Sequence, residues 1–119
     1  MKEQSAFLEV MGDSPRNRIL QYFVECDNLD IAIADVIEEH KLNKATAYNE
    51  IKKIIKQEII KQSRKVGNTQ LYRLNKENRI SRDLLKIMEI CIDRVCEEYA
   101  EKEEIPIKTK SKKTKLKKH

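Results

Sequence analysis

The sequence predicts a mainly α-helical fold with one small β-hairpin and a long C-terminal helix. Three observations support this. Only two Gly and two Pro appear among 119 residues, too few for the turns of a β-sandwich or barrel. Apolar residues recur at helical spacing in successive stretches of the chain. One pair, Gly67-Asn68, is flanked by segments whose period moves towards 2, a recognised hairpin signal. Charged residues make up 38% of the chain and aromatics 5%, as suits a helix-rich domain of Lys, Glu, Ile and Leu. The length fits a single domain with a modest core.

The elements follow in order. Phe7, Leu8 and Met11 form one stripe of a short helix within residues 1–11, punctuated by Gly12 and Asp13. Ser14 at the N-cap and Pro15 at the first helical position open a second helix, about Pro15 to Cys26. Its core face is Ile19, Leu20, Phe23 and Val24. A short helix from about Ala34 to His40 places Ile33, Val36, Ile37 and His40 on one face, with Asp35 near its positive end. Asn43 is a good N-cap for the next helix, 44–56. Ala47, Ile51, Ile54 and Ile55 form its core face, and Lys44, Thr46, Asn49, Lys52, Lys53 and Lys56 its polar one. Strands 60–66 and 69–74 then flank the turn, with Tyr72 and Leu74 on one face and Arg73 on the other. A long helix runs from Lys76 or Ile80 to Glu104, before Ile105-Pro106.

That last helix carries two apolar stripes, Leu84, Met88, Cys91, Val95 and Leu85, Ile92, Cys96, Tyr99. Together they are wider than one small body can cover, so one stripe is expected on the domain and the other on a second copy. The expected dimer interface comprises Leu84, Leu85, Met88, Cys91, Ile92, Val95 and Tyr99. The chain divides into a domain at 1–75, a dimerisation helix at 76–104 and a Lys-rich tail at 105–119 that cannot fold alone.

Charge is unevenly placed. The net +5 hides five acids and no base in 27–40, nine bases against two acids in 41–73, and seven Lys with no acid in 105–119. Such basic segments call for an anionic partner. Other classes are disfavoured. No apolar run approaches ~20 residues, so no membrane span is expected. The N-terminus lacks a basic-then-apolar signal. Three Cys, an odd number, argue against a disulfide framework and for a reducing, cytoplasmic setting. Cys91 and Cys96 lie about 140° apart around a helix, no CxxC occurs, and no metal site is expected. His40 reads as a core residue. There is no Gly-rich phosphate loop, nucleophile motif or HExxH; Glu38-Glu39 and Glu97-Glu98 are helix-surface acids. Neither catalytic residues nor a cofactor are expected.

Three segments point further: MGDSPRNRIL (11–20), IADVIEEHKLNKATAYNEIKKI (33–54) and IIKQSRKVGNTQLYRL (59–74). In that order they resemble the opening helix, the helix-turn-helix and the wing of winged helix-turn-helix transcription regulators of the ArsR/MarR type, found in bacteria and archaea. There are departures: His40 and Lys41 stand where such turns often have Leu and Gly, Glu58 stands where Gly is frequent, and Ala34 is a poor cap. Residues 43–56 hold no Cys, His or Asp, so the family's thiolate metal box is missing.

The resemblance implies a homodimer on double-stranded DNA at the nucleoid, with helix 44–56 in the major groove. Lys44, Ala45, Thr46, Tyr48 and Asn49 would meet base edges, and Lys52 and Lys53 phosphate. The wing, 61–73, would rest on the backbone or minor groove through Arg64, Lys65, Asn68, Thr69, Gln70 and Arg73. Arg16, in the first turn of its helix, would touch phosphate. Two other readings stand beside this one: an architectural, partition or replication-origin protein of low sequence specificity, and a winged-helix protein–protein module. No effector is indicated.

Overall fold

The computed structural model describes residues 5–102. The start of the first expected helix, the end of the last at Glu104 and the 105–119 tail lie outside them. The order is α1 (Ala6–Met11), α2 (Pro15–Glu25), β1 (Ile31–Ala32), α3 (Ile33–His40), α4 (Lys44–Lys56), β2 (Ile60–Val66), β3 (Thr69–Leu74) and α5 (Arg79–Lys102). The fold is mainly helical, with a three-stranded antiparallel sheet in the order β1-β3-β2. This is a winged helix-turn-helix: α3 and α4 form the helix-turn-helix, and β2 and β3 the wing.

Polar caps set the helix starts. The Ser14 hydroxyl accepts from the Asn17 N–H at 3.1 Å, and Asn43 Oδ1 from the Thr46 N–H at 3.0 Å. Ser5 accepts from the Leu8 N–H in the same way and donates to the Gln21 side-chain carbonyl. The last helix starts at Arg79 because Asn78 caps it, its Oδ1 accepting from the Ile80 N–H at 2.9 Å. The stripes marked by spacing in α2 and α4 are buried, and Phe7 and Leu8 of α1 with them. Phe7, Ile19, Phe23, Val36, Ala47 and Ile54 are at most 1% exposed, and Ile60 and Leu74 close the same core from the sheet.

Three expectations are corrected. β1 was not foreseen; it is two residues long, too short to show a period, yet it pairs Ile31 with Tyr72 and Ala32 with Leu71. It also starts α3 at Ile33 with Ala32 in the cap position, where no side chain accepts. Finally, Leu84, Met88 and Cys91 are buried within the protomer, at 8%, 8% and 4% exposure, and have no surface to offer a second copy. Leu85 is half-buried against the same core. Ile92, Val95 and Tyr99 remain exposed.

The unusual turn residues have a common explanation. Lys41 (φ 51°) and Glu58 (φ 62°) both adopt the left-handed conformation. Each ends a helix in a Schellman motif. The Lys41 N–H donates to the Glu38 carbonyl and that of Leu42 to Ile37, while the Glu58 N–H donates to Ile55 and that of Ile59 to Ile54. The accompanying apolar contacts, Leu42 near Ile37 and Ile59 near Ile54, lie in or against the core. Burial of these pairs holds a conformation that costs a non-glycine residue roughly 1–2 kcal/mol.

Lys41→Gly and Glu58→Gly are therefore expected to stabilise the fold, each by about 0.5–1 kcal/mol after the greater chain entropy of glycine is subtracted. Urea unfolding checks this, and a lower midpoint in either variant contradicts it. Asn78→Ala is expected to destabilise by about 0.5–2 kcal/mol through loss of the cap.

Candidate nucleic-acid interface

α4 turns three buried residues, Ala47, Ile51 and Ile54, into the core. Its other positions follow from 3.6 residues per turn. Lys44, Ala45, Tyr48, Asn49, Lys52 and Lys53 are exposed, and Thr46 is half-buried. One edge of that face looks towards the wing: Tyr48, Lys52 and Ile55 line a cleft of about 390 Å³ with Asn68, Thr69 and Tyr72. The other edge looks towards α2. There Lys53 Nζ stands 3.6 Å from one oxygen of Glu50, and Arg16 Nη1 stands 3.7 Å from the other. Arg16 Nη2 also donates to Gln57 Oε1 at 2.6 Å. Two of the expected phosphate contacts thus share one carboxylate. At 3.6 and 3.7 Å these two ion pairs lie beyond hydrogen-bond distance, and such loose exposed pairs are worth about 0–1 kcal/mol.

The wing tip is a two-residue turn with Gly67 at φ 61°, as the first central position of a type II′ turn requires. β2 carries one extra residue between Gln62 and Lys65, a β-bulge at Ser63-Arg64. The Gln70 amide is spent on this irregularity, donating to the carbonyls of Arg64 (3.1 Å) and Leu71 (2.9 Å). Lys65, Asn68 and Thr69 project from the wing into solvent.

Arg64 and Arg73, though partly exposed, are engaged within the protein. Both are bonded to Asp30, Arg64 Nε at 2.8 Å and Arg73 Nη2 at 2.9 Å. The Ser63 hydroxyl first, then the two guanidinium groups, hold the pKa of this carboxylate below its ordinary value. Lys76 pins the same loop by an ion pair to Asp27 at 2.9 Å and a hydrogen bond to Asn28 at 2.7 Å. The acidic stretch 27–30 is thus the anchor of the wing. Sequence reasoning missed it because the partners lie more than thirty residues away. In contrast, no ion pair among the described residues holds Lys44, Lys52 or Lys65.

The far end of α4 is tied down by side chains the sequence did not single out. The Asn78 amide donates to the carbonyls of Gln57 (3.1 Å) and Glu58 (2.9 Å), and that of Asn75 to Glu58 at 2.9 Å. Ser81, fully buried, donates to the Ile59 carbonyl at 2.8 Å. The Gln57 carbonyl, at the C-cap, is one that the end of a helix leaves without an intrahelical partner; those of Glu58 and Ile59 follow it in the turn towards the sheet.

The thiols have no shared site. Cys91 is buried, Cys96 exposed, and burial pushes the half-buried Cys26 thiol up, away from reactivity. Among the described residues no group of three His, Cys, Asp or Glu could hold a metal ion, and no helix is long and apolar enough to cross a membrane.

No protein-family model and no curated protein matches the sequence. Solved structures do match the fold. A homodimeric winged helix-turn-helix DNA-binding domain from Mycobacterium bovis, a possible ArsR-family transcriptional regulator, aligns with a TM-score of 0.53 at 16% identity, over 78% of this chain and 81% of its own. ZitR from Lactococcus lactis aligns at 0.57 and 20% identity, over 98% and 74%. The adhesin competence repressor of Streptococcus pyogenes aligns at 0.59 and 11% identity, over 92% and 81%.

Because Asp30 has its pKa lowered in the fold, its bonds stabilise the protein above the unfolded carboxylate pKa of ~3.9 and lose that effect as pH falls through the lower folded value. The stability difference between wild type and Asp30→Asn should therefore be largest at neutral pH and shrink on acidification. A difference that grows towards acid pH contradicts the assignment.

Proposed function

We propose that this protein is a sequence-specific, double-stranded DNA-binding transcription regulator acting as a homodimer. The observation that carries the reading is the placement of charge. On a winged helix-turn-helix, Lys44, Lys52 and Lys56 of α4 and Lys61 and Lys65 of the wing are exposed and outside any ion pair among the described residues. These surfaces meet the major groove and the flanking backbone when such a domain docks on a duplex.

In this reading Lys44, Ala45, Thr46, Tyr48 and Asn49 face base edges, with Asn49 suited to bidentate pairing with adenine. Lys52 meets phosphate. Lys53 and Arg16 do so at the α2 edge, exchanging Glu50 for the backbone. The wing rests on backbone or minor groove through Lys65, Asn68 and Thr69, with Gln70 shaping the strand behind them. Residues 1–75 form the reading unit, and α5 within 76–104 is the helix of association.

The dimer is supported by the outer half of α5. Ile92, Val95 and Tyr99 are 49%, 45% and 59% exposed, and α1 adds Val10 and Met11 at 54% and 40%. Val10 and Val95 line one groove between α1 and α5. An apolar surface of this kind on a charged chain marks an interface. The fold neighbour from Mycobacterium bovis is itself homodimeric. Two reading heads on one dimer imply half-sites about one helical turn, or a multiple, apart. A cytoplasmic, nucleoid-associated location goes with this function.

Footprinting and gel shifts at low salt test the reading, and protection of no duplex under those conditions rejects it. Lys52→Ala should weaken every duplex alike and lower the salt slope by roughly one. Asn49→Ala should relax preference at particular bases, at about 1–3 kcal/mol each. Tyr99→Glu should shift the sedimentation of the protein towards the monomer.

A further inference from the structure

We propose that Asp30 withholds Arg64 and Arg73 from DNA phosphates, so that the wing's contact with DNA of arbitrary sequence falls to its lysines. The inference rests on the DNA-binding reading above and goes beyond it by assigning a positioning residue outside the interface.

The geometry is specific. Asp30 directly precedes β1, and the register that pairs Ile31 with Tyr72 places it opposite Arg73. The β-bulge then turns Ser63 and Arg64 onto the same carboxylate. Arg64 donates to Oδ2, and Arg73 donates to Oδ1 through both Nε (3.0 Å) and Nη2 (2.9 Å). A bulge and two strand registers therefore converge on one acid, which a solvated surface pair does not require.

Exposure shows which partner can move. The Asp30 side chain is 14% exposed, that of Arg73 41% and that of Arg64 67%. The carboxylate is held by the fold, whereas the Arg64 guanidinium lies largely in solvent. A DNA phosphate would offer Arg64 the charge-assisted bonds that Asp30 already supplies. The exchange gains little, so the acid removes two arginines from the sequence-independent attraction that dominates non-specific binding. Lys61 and Lys65, exposed on the same strand and outside any ion pair among the described residues, remain.

The test is a salt titration of binding to random-sequence duplex, using the full chain. Asp30→Asn should tighten binding severalfold and steepen the log–log salt slope by roughly 0.9 to 1.8, one or two phosphates' worth. Asp30→Glu should restore wild-type behaviour. In an Arg64→Gln, Arg73→Gln background the gain from Asp30→Asn should vanish. A gain that survives there undiminished means a general loss of negative charge and overturns the proposal. So does an Asp30→Asn protein that binds no tighter than wild type, which would make Asp30 a scaffold only. Arg64→Gln alone gives an arm that leaves Asp30 intact: it should leave the wild-type slope unchanged, and a fall of about one overturns the proposal. If neither wild type nor variants bind duplex in a salt-dependent way, the DNA-binding reading fails instead.

Discussion

The C-terminal end of α4 is the joint on which the arrangement depends. A helix that stops must hand its chain to the next element, and side-chain bonds to the carbonyls at and just after its end fix the direction the chain takes. Here the Gln57, Glu58 and Ile59 carbonyls point at the start of α5 and are met by Asn75, Asn78 and Ser81. Asn78 acts in both directions, since its other side-chain atom caps α5. One residue therefore ends the exposed helix and begins the long one. The left-handed Glu58 is tolerated because Ile59, buried directly after it, turns the chain into the sheet.

The second organising force is electrostatic, and it works by subtraction. The segment 41–73 carries nine basic residues, yet several are engaged. Glu50 shares itself between Arg16 and Lys53, and Asp30 takes Arg64 and Arg73. What remains outside ion pairs is a band of lysines along α4 and β2. The acidic stretch 27–40 is therefore more than a counterweight in the net charge: Asp30 fastens the wing to the body, and Asp27 the chain that leaves it. Each exposed pair adds little stability. Together they tie the hairpin to the loop before β1, and α4 to α2.

Local signals made much of this legible in advance. Ser14, Asn43 and the Gly67-Asn68 turn act within three residues of themselves, and the structure shows them doing so. The apolar stripes of α2 and α4 are buried as their spacing implied. What sequence could not show depends on residues far apart in the chain. β1 exists only because β3 lies beside it. Asp30 matters only because a bulge turns Arg64 onto it. The two stripes of α5 were both visible, but which of them the domain covers depends on the packing of α1 and α2. Packing against α1 and α2 takes Leu84, Met88 and Cys91, and leaves the outer turns bare.

This division of α5 has a mechanical consequence. Its first half is part of the domain core, bonded through Ser81 to the chain just after α4 and capped by the residue that terminates α4's carbonyls. Its second half carries the exposed Ile92, Val95 and Tyr99. An α-helix of 24 residues is stiff over that length. Whatever meets the outer half therefore sets the orientation of α4 without a hinge between them. Association and reading in such a molecule are not separate modules joined by a linker. They are two ends of one rigid element, and Asn78 is the point at which the exposed helix is fastened to it.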